Sequence, residues 1–293
     1  MPALIPLDNL LGAAFIGIIL STTIYGVTCL QVYHYYMHHS SKDASLLKIF
    51  VGFLWTVDTL HVAFLATFYY SYTVTNFGDY VFLSKVNWAL SSQTLVADII
   101  TISVQTFFAY RVYILSNKKL IIPIIIFILA LGQLALAIVY VAKLWVLLEF
   151  QEERHYFLTA NFNTAERWKL ISEVGAVIRF GTGALAIDIA GDATVTIAMI
   201  YYLWKNKSSF KQTNNLINTL VTYTINTGLL TTVFTFVCLI LVVLMPNSNL
   251  IYAIFYFIEV RFYSCSLMSI LNSRTALKDE GIMSSPYRLS GPP

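Results

Sequence analysis

The run LIIPIIIFILALGQLALAIVYVAKLWVLL, residues 120–148, carries one charged side chain, Lys143. Roughly 18 or more apolar residues in succession are long enough, at about 1.5 Å per residue, to cross a ~30 Å hydrocarbon core. In that core every peptide group must be satisfied within the segment, so the run is read as a transmembrane helix. Six further runs of the same kind lie at about 10–33, 46–70, 88–113, 184–204, 216–245 and 250–271. Whole-chain composition agrees, with 58% hydrophobic and 11% charged residues against the ~25% charged residues of ordinary soluble domains. The expected fold is all-α, a bundle of seven transmembrane helices over residues 1–274.

Net charge is a modest +3, but its distribution orients the bundle. Lys42, Lys48, Arg111, Lys118, Lys119, Lys205, Lys207, Lys211, Arg274, Lys278 and Arg288 fall on one side of a seven-span chain. Lys85, Arg154, Arg167 and Lys169 fall on the other. The positive-inside rule predicts an N-terminus outside or in a lumen and a C-terminus in the cytoplasm. The start lacks a basic flank followed by a short apolar region, so the first span is expected to stay as an uncleaved anchor. Expected localisation is therefore multi-pass, in the plasma membrane or an endomembrane. Basic residues scattered along short membrane-proximal loops form no nucleic-acid patch, and the expected partner is the lipid bilayer. Cys29, Cys238 and Cys265 lie within spans, so neither a disulfide framework nor a metal-binding cysteine spacing is implied. No cofactor is expected. The sequon Asn206-Lys207-Ser208 falls on the predicted cytoplasmic side and is expected to stay unmodified.

One connection is long, at residues 149–183. Asn163 followed by Glu166 has the spacing of a helix-opening capping box, and Trp168, Ile171, Val174 and Ile178 recur at helical intervals. An amphipathic helix over about 164–180 is predicted, lying at the outer surface or extending the fifth span, with Gly181-Thr182-Gly183 as a candidate break. It reads as a packed loop or as a lid over an outward-facing cavity. The polar, Pro/Ser-containing tail at 275–293 cannot bury a core and is expected to be disordered.

The acids inside the spans need a physical account, because a midspan carboxylate costs about 2.5–3.5 kcal/mol and a leucine returns only ~0.5. Asp58, Asp98, Asp192 and Glu259 each lie near the middle of a run. Trp55, Asp58 and His61 recur every third residue, which places a carboxylate and an imidazole about one turn apart on one helix face. Such a pair can share a proton or anchor a cationic ligand, or it can hold helices in register through hydroxyls of a neighbour. Asp98 lies in a polar stretch with Ser91, Ser92, Gln93, Thr94, Thr101, Ser103 and Gln105, so the third span is expected to be central. Asp192 is the deeper acid of the fifth span, with Asp188 a turn nearer the outer headgroups. Ala186, Ala190, Thr194 and Ala198 form a small-residue stripe roughly opposite, suited to close helix approach. The sixth span adds Asn218, Thr222 and Asn226 at four-residue spacing, and the seventh adds Tyr252, Tyr256, Glu259 and Tyr263. Arg261, two residues from Glu259, points elsewhere and is expected to pair with an acid of another helix.

The candidate pocket residues are accordingly Asp58, His61, Asp98, Asp192, Asn226 and Glu259. A net-negative, partly hydrated cavity favours a small cationic or hydrogen-bonding amphiphilic ligand over an anion. No diphosphate-binding acid cluster, nucleophile elbow, Gly-rich phosphate loop or HExxH is present, so no catalytic residue is assigned. A seventh-span lysine for a retinal Schiff base is missing, as are Asn-Pro-x-x-Tyr and a third-span Asp-Arg-Tyr. Three readings stay open: a receptor-like or small-ligand-binding protein, a membrane-embedded enzyme of acid-catalysed isomerase or terpene-cyclase type, and a proton- or cation-coupled transporter.

A series of motifs runs through the chain in order. Tyr25-Gly26, Gln31 and Tyr33 precede Trp55-x-x-Asp58-Thr59-x-His61 and Thr75-Asn76-Phe77-Gly78. Then come Tyr201-Tyr202-Leu203 with Phe210 and Thr213, Tyr223-Thr224-Ile225-Asn226-Thr227-Gly228-Leu229-Leu230, Phe255-Tyr256, Ser266-Leu267 and Leu271-Asn272-Ser273-Arg274. Over about residues 11–274 this series resembles a large family of uncharacterised seven-helix membrane proteins from mushroom-forming fungi, a domain of unknown function. The resemblance implies the topology and a fungal origin, and Asp192 looks like an acid that members place in this helix. It lends no activity. Neither Glu259 nor Arg261 maps onto a motif of that family, and residues 149–183 depart from its pattern.

Overall fold

A computed structural model describes residues 7–38, 40, 43–83, 87–154, 164–206, 211–244 and 250–283, and side chains for most of these. The described residues are helical throughout apart from short turns. A π-helical turn, Asp8–Gly12, leads into α1 (Ala13–His38), and α2 (Ser45–Tyr70) runs on through a second π-helical turn, Ser71–Thr75. A four-residue helix, α3 (Tyr80–Leu83), precedes α4 (Trp88–Leu115), α5 (Ile121–Arg154), α6 (Thr164–Lys205), α7 (Lys211–Leu244) and α8 (Ile251–Met283). Seven of these helices are long and apolar enough to cross a membrane, which makes this an integral, multi-pass membrane protein. The tail expected at 275–293 lies partly outside the described residues, and α8 continues to Met283.

Burial sorts the helices into inner and outer. More than half of the apolar window of α4 and of α8 is buried, 56% and 67%, against a third or less in the other spans. The polar stretch of the third span thus sits in the central helix, as its composition demands. α4 touches α2, α5, α6 and α8, while α8 is flanked by α1 and α7. Asn87 starts α4 by accepting from the Ala89 amide at 2.7 Å. Asn117 and Lys118, both left-handed, end it and turn the chain toward α5.

Close approach of α1 to α8 depends on Gly17, where a Cβ would lie 2.9 Å from Ile254 Cα and 3.2 Å from Phe257. Glycine in the fifth span has the same use. The expected break at Gly181-Thr182-Gly183 is absent, and α6 runs unbroken from Thr164 to Lys205, about 60 Å, twice the hydrocarbon core. A Cβ on Gly181 would meet the Tyr140 ring at 3.1 Å and one on Gly183 would meet Leu136 at 3.2 Å. These glycines seat α6 against α5. They do not bend it.

Candidate functional site

The midspan acids divide into two groups on opposite sides of α8. Asp58 and His61 of α2 are completely buried and face Arg261 of α8, itself completely buried. The guanidinium pairs with Asp58 Oδ1, donates to the Asp58 carbonyl at 3.1 Å and to Ser21 Oγ at 2.9 Å, and meets His61 Nδ1. It also lies over the Tyr25 ring, 5.8 Å from its centroid, and Tyr25 is held in turn by Thr59 at 2.7 Å. A guanidinium only donates, so His61 Nδ1 accepts and the ring hydrogen lies on Nε2. Arg261 therefore finds its acid on another helix, and the carboxylate–imidazole pair of the sequence is organised by an arginine between its members. Trp55, the third member of that stripe, is 41% exposed and reaches Cys29.

The second group surrounds a cavity of about 340 Å³ enclosed by α4, α5, α6, α7 and α8. It lies in the half of the bundle where α4 and α8 begin and α5 and α7 end, the same half as Asp8 at the start of the chain. Its walls are mostly aliphatic, with Tyr140, Tyr252 and Tyr256 among them, and the polar atoms come from Gln93, Thr94, Asp98, Thr101, Gln133, Asp188 and Glu259. Among the described residues, no lysine or arginine lines it. Asp98 Oδ1 accepts from Gln133 at 3.1 Å, and Glu259 Oε1 accepts from Thr235. Their second oxygens, Asp98 Oδ2 and Glu259 Oε2, are buried and receive no hydrogen bond from a donor group among the described residues, and the Glu259 carboxyl meets that of Asp188.

Below this cavity Asp188 and Asp192 share their donors. Gln105 Nε2 lies 3.3 Å from Asp188 Oδ1 and 3.3 Å from Asp192 Oδ1. Gly191 leaves the space that Gln105 occupies, for a Cβ there would stand 3.2 Å from its Nε2. The Tyr263 hydroxyl lies 2.7 Å from Asp192 Oδ2 and 3.3 Å from each oxygen of Asp188. Thr231 completes Asp192 at 2.6 Å. Asp192 lines a second, smaller cavity of about 30 Å³ with Gln105, Thr196, Thr224, Tyr263 and Ser266. Among the described residues, no three His, Cys, Asp or Glu side chains are placed to hold a metal ion.

Of the six candidate pocket residues, Asp98 and Glu259 line the large cavity, Asp192 lies one layer below it, and Asp58 with His61 sits across α8 from it. Asn226 lies on an exposed face of α7. Asp188, read as nearer the headgroups, is 5% exposed and reaches both the cavity and the layer beneath it. Gln133, Thr231 and Thr235 supply hydrogen bonds to the acids and were not singled out from sequence. Gln133 had a signal, as the one carboxamide in residues 120–148. The threonines of α7 had none beyond being polar in an apolar run.

In a comparison with known families, residues 188–276 fit the Family of unknown function (DUF6534). The matched stretch takes in Asp188, Asp192, Thr231, Glu259, Arg261 and Tyr263, together with the Tyr223 to Leu230 motif. Neither the curated proteins nor the solved structures contain a match.

Proposed function

We propose that this chain is a receptor-like, ligand-binding membrane protein that takes a small amphiphile into the α4–α8 cavity. The ligand's cationic or multiply donating group sits against Asp98, Glu259 and Asp188, and its apolar part lies along the aliphatic and tyrosine walls. One observation carries this reading. Two buried acceptor oxygens, Asp98 Oδ2 and Glu259 Oε2, belong to side chains lining a cavity of about 340 Å³ whose described lining holds no cation. Buried carboxylate oxygens without donors are costly, and a ligand that brings donors removes the cost. The volume is at the low end of the ~300–1,000 Å³ common for small-molecule sites. Charge bias in the loops supports an outward or lumenal mouth, because the basic residues gather at the opposite end.

The test uses three probes of one tail length, dodecylamine, dodecanol and dodecanoate, with thermal unfolding of the full chain in nanodiscs as the readout. Dodecylamine should stabilise the protein saturably and dodecanoate should not. Asp98→Asn and Glu259→Gln should each weaken the amine's apparent affinity by roughly 10- to 100-fold, the worth of one charge-assisted hydrogen bond of about 1.5–3 kcal/mol. Equal responses to all three probes, or an amine response unchanged in both variants, would mean partition into lipid and would refute the site.

A further inference from the structure

The Asp188–Asp192 layer separates two cavities, and the ligand-binding reading uses only Asp188 of it, leaving Asp192 and Tyr263 without a role. Asp188 lines the large cavity, Asp192 lines the small one, and one hydroxyl, that of Tyr263, touches both carboxyls. A phenol carries a single proton. At 2.7 Å to Asp192 and 3.3 Å to each oxygen of Asp188, that proton is given to Asp192. The Tyr263 oxygen is then free to accept, and the group beside it is the Asp188 carboxyl. A proton on Asp188 completes a continuous chain from Asp188 through Tyr263 to Asp192. The small cavity, at about 30 Å³, has space for about two waters at ~10–15 Å³ each, and its threonine, serine and carboxyl groups supply the partners that waters need.

We propose that Asp188, Tyr263 and Asp192 form a relay that passes a proton between the large cavity and the small one. In the transfer Asp188 gives its proton to the Tyr263 oxygen as Tyr263 gives its own to Asp192 Oδ2. One O–H bond breaks and one forms at the tyrosine, and the net change is one proton moved from Asp188 to Asp192. Gln105 touches both carboxyls through an amide that donates without passing a proton along, so it holds them in place. Thr231 donates to Asp192 Oδ2, the oxygen that Tyr263 also meets.

The titratable groups around the pair are Asp98 from α4, Tyr140 from α5, Cys238 from α7, and Tyr252, Tyr256 and Glu259 from α8, all lining the large cavity. Arg261 is turned to Asp58 on the other side of α8. The apolar part of the small cavity's wall, Val104, Phe108 and Val195, belongs to a buried cluster with Met199, Tyr202 and Leu203. The relay therefore has the large cavity on its Asp188 side and the small cavity on its Asp192 side.

Infrared spectroscopy of the full chain in nanodiscs tests the relay without any ligand. The wild type should show a protonated-carboxyl C=O band that Asp188→Asn and Asp192→Asn each alter. On transfer to D2O that band should shift as its proton exchanges, and Tyr263→Phe should slow the exchange by roughly a hundredfold, the contribution of a positioned proton carrier. Thr232→Val, which removes an α7 hydroxyl bonded to the Gly228 carbonyl of its own helix and not to either relay carboxyl, should leave the exchange rate unchanged. Should Tyr263→Phe not fold, Tyr263→Gln keeps a polar group without a transferable hydroxyl and makes the same comparison. A wild type with no carboxyl band sensitive to either aspartate overturns the proposal. So does exchange as fast in the Tyr263 variant as in the wild type, or slowed equally by Thr232→Val. Failure of dodecylamine to bind leaves every one of these outcomes readable.

Discussion

Replacing Asp58 by Asn removes the carboxylate from a fully buried ion pair while leaving its shape, and the structure sets the scale of the damage. Arg261 and Asp58 both have no exposed side-chain surface. The remaining partners of the guanidinium are neutral: the Ser21 hydroxyl, the Asp58 carbonyl, the His61 imidazole and the Tyr25 ring. None of them can offset a full charge. Breaking a buried pair by removing one member costs about 3–5 kcal/mol, because the surviving charge stays buried without compensation. At about 1.4 kcal/mol per factor of ten, Asp58→Asn should lower the folded-to-unfolded ratio by roughly a hundredfold to a few thousandfold. Removing both charges, in Asp58→Asn/Arg261→Gln, should restore much of the loss, with a coupling energy in the double-mutant cycle of about 2–3 kcal/mol. The assay is unfolding of the detergent-solubilised protein by added sodium dodecyl sulfate, followed by far-ultraviolet circular dichroism. Asp58→Asn within about 1 kcal/mol of the wild type, or a double variant as unstable as the sum of the singles, would refute the reasoning. Neither Asp58 nor Arg261 lines the large cavity. Under conditions where Asp58→Asn stays folded, its dodecylamine response should therefore match the wild type.

Two further outcomes follow from helix contacts and from orientation. Gly17→Ala should destabilise the protein by about 1–2 kcal/mol in the same unfolding assay, since overpacking costs ~1–3 kcal/mol and the gain in helix propensity returns at most ~1. Gly26→Ala, on the same helix with nothing within 4 Å of the added methyl, should be neutral or mildly stabilising; a Gly17 variant no less stable than the Gly26 variant would contradict the packing of α1 on α8. Expressed in a eukaryotic host, the chain should show no endoglycosidase shift, because Asn206 follows α6 at the basic end and its amide donates to the Leu115 and Tyr202 carbonyls at 2.8 Å. A shift abolished by Asn206→Gln would reverse the orientation.

The seven spans could be read from sequence because a bilayer core imposes a length and a composition together. Which face of each span points inward could not be read from its apolar residues, since lipid is as apolar as the protein interior. Leu30, Leu46 and Ile121 are largely exposed, while Leu54, Leu65 and Ile126 are buried, and no difference of residue type separates the two sets. Polar residues carried the information instead. Asp58, His61, Asp98, Asp192 and Glu259 are all buried, as the cost of placing them in lipid requires. Asn226 shows where the rule weakens. On α7 the buried positions Val221, Thr224, Thr231, Thr235 and Cys238 recur in steps of three and four or their sums, whereas Thr222 and Asn226 share the outer face. Four-residue spacing alone joined residues of one stripe without saying which stripe was inside. The unbroken α6 is a further case, because Gly181 and Gly183 are equally compatible with a bend and with a close neighbour, and the neighbour, Tyr140, is distant in sequence.

The separation of the acids by α8 also decides which of them can respond to solution. Arg261 neutralises Asp58, and it is the one arginine or lysine among the buried residues described. Asp98, Asp188, Asp192 and Glu259 are left with hydrogen bonds from neutral groups: Gln133, Gln105, Tyr263, Thr231 and Thr235. Neutral donors reduce the cost of a buried carboxylate without removing its charge, so a proton or a cation that reaches these four lowers the cost further. A proton on the relay and a cationic group in the cavity are the two candidates, and they act on adjoining carboxyls. Under the two proposals together they are alternatives at one electrostatic site. A bound amine raises the cost of a proton on Asp188, and a proton there weakens the field that holds the amine. Ligand affinity and proton occupancy would then be linked with Asp188 as the direct junction, since it lines the large cavity and touches Tyr263 in the layer beneath.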